Sequence, residues 1–177
     1  MQNHINPTAY APLLDTIAKG ESGGNYNAYF EHGDNNQLRF TDMSIGEVLA
    51  WQDSYVKQGS FSSAVGKYQI IRPTLAGLVQ QLKIDTSKRF DQAMQDQMAI
   101  ALLERRGAQA FVDKKISREQ YAANLAQEWA ALPSVTGTDP NASHYANDGV
   151  NKSHITIGEI FKALEPLRRQ RDGEPAV

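Results

Sequence analysis

A glutamate stands at the end of a predicted helix, on the face that should be buried. Four residues share this face at positions i, i+3, i+4 and i+7: Leu14, Ile17, Ala18 and Glu21. Gly23 and Gly24 follow and leave room for a ligand or a sharp chain reversal. A carboxyl group held against apolar side chains loses hydration, so its pKa should rise towards the range of a general acid. On position alone, a solvated glutamate at a helix end is the simpler interpretation.

A second stretch with a chemical character occupies residues 62–71, SSAVGKYQII. Small residues precede an amphipathic pair, Tyr68 and Gln69, and such a pair can present hydrogen-bonding groups beside an apolar ring. Without further information, a strand edge that merely packs is the favoured interpretation of this pair.

The two stretches together, ESGG at 21–24 and SSAVGKYQI at 62–70, resemble the glutamate-plus-"SxAxGxYQ" signature of the lysozyme-like superfamily. The similarity is closest to the endolysins of lambda-like phages, which are lytic transglycosylases. It continues through LLERRGAQAFVD at 102–113 and NLAQEWAALPS at 124–134, and covers most of residues 10–165. The resemblance implies a lysozyme-like fold.

The resemblance also implies roles for individual residues. Glu21 would be the catalytic acid and base, and Gln69 would hydrogen-bond sugar hydroxyls or N-acetyl groups. The residues that would line the sugar cleft are Ser62, Ser63, Gly66, Tyr68 and Gln69. Tyr145, in SHYANDG, matches a tyrosine that related enzymes place near the acid. Trp129 and Leu132 are expected in the core.

The number of catalytic carboxylates separates two mechanisms. Hydrolytic glycosidases generally use two, whereas a lytic transglycosylase needs one, because the sugar's own acetamido group and 6-hydroxyl complete the reaction. Asp34 and Asp42 are the candidates for a second catalytic group, with Glu31 beside them. A structural role also accounts for each aspartate: Asp34 lies in the predicted turn HGDNN, and Asp42 lies just before a helix, where an acidic residue is favoured by the helix dipole.

The function that the resemblance implies is cleavage of the β-1,4 bond between N-acetylmuramic acid and N-acetylglucosamine in bacterial peptidoglycan. A phage-type endolysin acting as a lytic transglycosylase is the first hypothesis. The alternatives are a hydrolytic lysozyme with a second carboxylate, a non-catalytic glycan-binding protein on the same fold, and a chitinase-like enzyme.

The elements that must position these residues are mainly helices. Capping and stop signals predict helices over about 8–20, 44–57, 73–82, 91–106, 108–113, 117–132 and 156–166, with Pro166 bending or ending the last. Residues 22–42 predict a small β-hairpin flap, and residues 133–153 a long loop. We therefore predict a mainly α (α+β) lysozyme-like fold in a single domain over residues 1–177.

Composition excludes several other functions. The net charge of −2 argues against a nucleic-acid partner, and the absence of cysteine excludes thiol chemistry. No run approaches the ~20 apolar residues of a membrane span. The sequence has four histidines, His4, His32, His144 and His154, and their spacing is not that of a metal site. We therefore expect no metal and no cofactor. We expect a monomer made without a signal peptide in the bacterial host cytoplasm, reaching the wall by holin release, virion delivery or secretion.

Overall fold

The structure, a computed structural model, describes residues 5–171 and is mainly helical. Its seven described helices are α1 (Ala11–Glu21), α2 (Ile45–Lys57), α3 (Arg72–Leu82), α4 (Gln92–Arg105), α5 (Ala108–Val112), α6 (Arg118–Glu128) and α7 (Ile157–Arg171). Three short 3₁₀ turns accompany them: Pro7–Tyr10, Phe40–Asp42 and Ala146–Asp148. The mainly α prediction is confirmed. His4 and the two ends of the predicted domain lie outside the described residues.

The chain folds into two compact units. Unit 1 comprises Met1–Glu21 and Leu102–Val177, and unit 2 comprises Ser22–Ala101. The chain passes from unit 1 to unit 2 directly after Glu21, and returns within α4. The assignment of residues 1–177 to a single domain stays a prediction.

Unit 1 is built around α7, which packs against α1, α5 and α6. Its most deeply buried side chains include Tyr10, Leu13, Ile17, Tyr121, Leu125, Leu132, Leu164 and Leu167. Trp129 is buried as well, which confirms that Trp129 and Leu132 belong to the core. The helix boundaries differ from the prediction in three places: α1 begins at Ala11 after a 3₁₀ turn, α6 ends at Glu128 instead of running to 132, and α7 continues through Pro166 to Arg171.

In unit 2, helix α2 begins with the predicted capping box. The Ser44 hydroxyl accepts from the Glu47 N–H, and the Glu47 carboxylate accepts from the Ser44 N–H. Pro73 occupies the first turn of α3, also as predicted. The unit's core contains Phe40, Ile45, Val48, Val65, Leu75, Leu78, Phe90 and Met98.

The β-hairpin flap predicted for residues 22–42 is not formed as strands. These residues are mostly turns, and antiparallel pairing is limited to isolated bridges such as Tyr29 with His32. Asparagine side chains take the backbone groups that a ladder would use: Asn25 donates to the carbonyl of residue 33 at 2.9 Å, and Asn35 donates to that of Asn27 at 2.6 Å. Such side-chain bonds compete with regular pairing.

The long segment 133–153 is a loop, as predicted. An isolated antiparallel bridge joins Pro133 to Ser143 and closes the first half of the loop, and the short 3₁₀ turn Ala146–Asp148 follows in the second half. Within residues 5–171, no helix is both long enough and apolar enough to span a membrane.

Candidate active site

Glu21 is the last residue of α1, and the buried stripe that precedes it is present as predicted. Ile17 is fully buried, Ala18 is 2% exposed and Leu14 is 8% exposed. Glu21 as a whole residue is partly exposed, while its carboxyl group is desolvated by the surrounding protein. Burial raises the pKa of Glu21 to about 7, and a hydrogen bond from the Ala131 N–H at 3.1 Å partly opposes this rise. A carboxyl group with that pKa can both give and take a proton near neutral pH.

The end of α1 is fixed by close packing within unit 1. A Cβ added at Gly20 would lie 2.8 Å from Ile155 Cγ1 and 3.0 Å from Ala131 Cβ, so only glycine fits there. The Ala131 carbonyl accepts hydrogen bonds from the N–H groups of His154 at 2.8 Å and Ile155 at 3.2 Å. The peptide groups on both sides of Ala131 are therefore engaged, and the N–H that meets Glu21 has a fixed position.

Tyr145 lies on the long loop of the same unit. Tyr145 is 40% exposed, and its hydroxyl donates a hydrogen bond to the Gln127 carbonyl at the end of α6. Gln127 lies four residues before Ala131, so one short segment contacts both Tyr145 and Glu21. Among the described hydrogen bonds, none joins Tyr145 to Glu21 directly.

The predicted sugar-binding stretch forms a tight turn in unit 2. Val65 and Ile70 exchange both backbone hydrogen bonds, at 3.1 and 2.9 Å, and the turn between them contains positive φ angles at Gly66 (83°) and Gln69 (49°). The Gln69 amide donates to the Gly66 carbonyl at 2.8 Å. A Cβ at Gly66 would lie 2.4 Å from Gln95 Oε1, so glycine is required by both conformation and space.

The members of this stretch differ in how accessible they are. Ser62 and Gln69 are partly exposed, and the Ser62 hydroxyl accepts a hydrogen bond from the backbone N–H of residue 64 at 3.2 Å. Ser63 and Gly66 are buried; the Ser63 hydroxyl accepts from the backbone N–H of residue 72 at 2.9 Å. Tyr68 is 1% exposed, so its ring belongs to the support of the turn more than to its surface.

Two residues that the sequence reasoning missed hold this turn in place. Gln95 is 1% exposed; its amide donates to the carbonyls of Tyr26 and Phe90, each at 3.1 Å, and its oxygen accepts from the Lys67 N–H at 2.9 Å. Asp96 accepts hydrogen bonds from the hydroxyls of Tyr68 at 2.7 Å and Tyr26 at 2.9 Å. The signal was the polar run 95–97, Gln-Asp-Gln, directly before the apolar run of α4.

The candidates for a second carboxylate have a different environment from Glu21. Asp34 and Asp42 are both exposed, and Asp42 pairs with Arg39 at 3.6 Å. Glu31 is also exposed and has a positive φ of 69°. Among residues 5–171, no three acidic or histidine side chains form a group that could hold a metal ion.

In this mainly helical fold a desolvated glutamate ends a helix, an arrangement suited to acid–base chemistry. Comparison with known families identifies the group: the sequence model of the endolysin family matches residues 11–156. The chain therefore belongs to the endolysin family, which makes it a phage enzyme that degrades the peptidoglycan of the bacterial cell wall. The resemblance to phage endolysins seen in the sequence is confirmed. No curated protein and no solved structure gives a significant match.

Proposed function

We propose that this endolysin is a lytic transglycosylase with a lysozyme-like fold, acting as a monomer of one domain. It cleaves the β-1,4 bond between N-acetylmuramic acid and N-acetylglucosamine. The observation that carries the proposal is the Glu21 carboxyl group, whose pKa is raised to about 7 by burial at the end of α1. A glycosidic oxygen is a poor leaving group unless it is protonated, and a glutamate that holds its proton near neutral pH supplies that proton.

The proposed reaction uses Glu21 twice. Glu21 first donates its proton to the glycosidic oxygen, and the bond from that oxygen to C1 of the muramic acid breaks. The acetamido group of the same sugar supports the positive charge at C1. The Glu21 carboxylate then takes the proton from the 6-hydroxyl of that sugar as its oxygen attacks C1, which closes a 1,6-anhydro ring and returns Glu21 to its protonated form.

Supporting roles are proposed for the residues of the predicted sugar-binding set. The Ser62 hydroxyl and the Gln69 amide, both partly exposed, hydrogen-bond the glycan, while Ser63, Gly66 and Tyr68 shape the turn that presents them. Tyr145 contributes from the long loop of unit 1. The preference for the mechanism with one carboxylate comes from the resemblance to the endolysins of lambda-like phages; Asp34 and Asp42 are exposed, and the second carboxylate of a hydrolase does not need to be desolvated. The chain is made in the host cytoplasm and reaches the wall after release.

Mass spectrometry of the fragments released from purified peptidoglycan tests this function. We expect products ending in 1,6-anhydromuramic acid from the wild-type protein and from the double variant Asp34→Asn/Asp42→Asn. Glu21→Gln should release none while keeping its circular dichroism spectrum.

Other outcomes identify other mechanisms. If the wild type releases fragments with ordinary reducing ends and the double variant releases none, the protein is a hydrolytic lysozyme with a second carboxylate. Binding to peptidoglycan without any release of fragments would establish a glycan-binding protein, and an active Glu21→Gln protein would overturn the assignment of Glu21.

A further inference from the structure

Phe61 is an exposed aromatic residue directly before the predicted sugar-binding stretch. Its side chain is 61% exposed, the largest value among the exposed large apolar residues that the structure describes. Its ring contacts the ring of Phe30, which is partly exposed, with 6.0 Å between the centroids and an angle of 38° between the planes. Unit 2 therefore presents a pair of tilted rings next to Ser62.

The backbone around Phe61 is ordered by hydrogen bonds on both sides. The Ser60 hydroxyl donates to the Ser62 carbonyl at 2.8 Å, which closes the chain around Phe61. The Phe30 N–H donates to the Ala64 carbonyl at 3.0 Å, which ties the segment that carries one ring to the segment that carries the other. The backbone that carries the two rings is thus ordered before any ligand arrives, so less conformational entropy is lost on binding than from a mobile loop.

The surroundings of the ring indicate what it contacts. Phe61 lies between Ser60 and Ser62 in the chain, and both serines are partly exposed. A pyranose ring has an apolar C–H face and a rim of hydroxyl groups, so it matches an aromatic face with hydroxyl side chains around it. A membrane-binding surface would instead join large apolar residues to lysine or arginine. Lys57 and Lys67 border residues 58–66 in the sequence, so the vesicle measurement below separates a membrane contact from a glycan contact.

We propose that Phe61, supported by Phe30, is a stacking platform for one sugar ring of the peptidoglycan glycan strand. The proposal rests on the proposed function, because it extends the sugar-binding stretch 62–69 by one position. The platform adds affinity and selects an extended glycan, while the proton transfer remains with Glu21.

Binding to purified, peptide-stripped glycan strands, measured alongside fragment release, tests the platform. Phe61→Leu keeps an apolar side chain but removes the flat aromatic face, and Phe61→Tyr keeps that face. Val56→Ala is the matched control, since Val56 is also exposed, at 45%, and lies on α2. We expect Phe61→Leu to weaken glycan binding and raise KM by about 3- to 10-fold, the scale of one aromatic contact, with kcat unchanged. Phe61→Tyr should recover most of the affinity, and Val56→Ala should bind as the wild type does.

The two proposals fail in different ways. Unchanged glycan binding by Phe61→Leu overturns the platform, whatever products the enzyme forms. Wild-type protein that binds glycan but releases no fragments overturns the transglycosylase function, and the comparison of variants still tests the platform. If Phe61→Leu binds glycan normally while Phe61→Ser loses binding to vesicles of phosphatidylglycerol and phosphatidylethanolamine, the ring is a membrane contact and the platform is also overturned.

Discussion

The Glu21 carboxylate accepts a hydrogen bond from the Ala131 N–H at 3.1 Å, across 110 residues of sequence. This bond and the burial of Glu21 act on its pKa in opposite directions. The bond favours the charged carboxylate and lowers the pKa, whereas burial favours the neutral acid, and burial is the larger effect. The net result is a carboxyl group that changes protonation near pH 7 and has a fixed orientation.

The rate of peptidoglycan cleavage should fall as the pH rises through about 7. Glu21 must begin the reaction protonated, and its pKa of about 7 means that the protonated fraction declines above that pH. The measurement is kcat/KM for soluble glycan strands from pH 5 to 9. A rate that stays constant up to pH 9 would contradict the role of Glu21 as the acid.

Glu21→Gln should stabilise the fold at alkaline pH more than at acidic pH. The folded protein binds the Glu21 proton more tightly than the unfolded chain, in which the pKa is 4.5, so the wild type loses stability as the pH rises from 4.5 to about 7. Glutamine does not ionise, so the variant does not lose this stability. The free energy of unfolding of the variant minus that of the wild type should therefore increase by up to about 3 kcal/mol between pH 4 and pH 8.

Urea unfolding at pH 4 and pH 8 measures this difference. Asp34→Asn is the matched control, because Asp34 is exposed and no comparable desolvation acts on it. A stability difference between Glu21→Gln and the wild type that is the same at both pH values would show that burial of Glu21 does not act as described.

Gly20→Ala should destabilise the protein by about 1–3 kcal/mol and lower its activity. The added Cβ would lie 2.8 Å from Ile155 Cγ1 and 3.0 Å from Ala131 Cβ, so the end of α1 must shift and Glu21 with it. Gly77→Ala is the control: Gly77 lies inside α3 with nothing within 4 Å of an added Cβ, and alanine there should stabilise the protein by up to about 1 kcal/mol. Thermal unfolding and glycan-strand cleavage are measured on both variants. If Gly20→Ala and Gly77→Ala change stability and activity equally, the close packing around Gly20 does not act as described.

Glu128→Gln should cost about 1–3 kcal/mol of stability. The Glu128 side chain is 6% exposed and accepts hydrogen bonds from Arg105 at 2.8 Å and Arg106 at 2.7 Å, so its charge is matched by one exposed and one partly exposed cation. Glu165→Gln is the control, because Glu165 and its partner Arg168 are more exposed and their pair should contribute less than about 0.5 kcal/mol. Urea unfolding of both variants at pH 7 measures the two losses of stability. If the loss is no larger for Glu128→Gln than for Glu165→Gln, burial does not strengthen the interaction of Glu128 with its two arginines.

Local signals along the chain predicted the helices well. Ser44 and Glu47 form the capping box that their spacing indicates, and Pro73 occupies the first turn of α3. These features involve residues within four positions of each other, so the sequence contains all the information that they need. The hairpin prediction was wrong because side-chain hydrogen bonds of Asn25 and Asn35 reach residues 8 to 10 positions away, and alternation of polar and apolar residues does not reveal them.

The sequence by itself determined which residues share a helical face, and therefore that Glu21 ends a buried stripe. The tertiary structure decided what that glutamate meets: the N–H of Ala131 and the close packing of Gly20 against Ile155. It also decided that Gln95 and Asp96 hold the turn at 62–71. Helical periodicity is a local property of the backbone, whereas desolvation and hydrogen bonding depend on residues that only folding brings together.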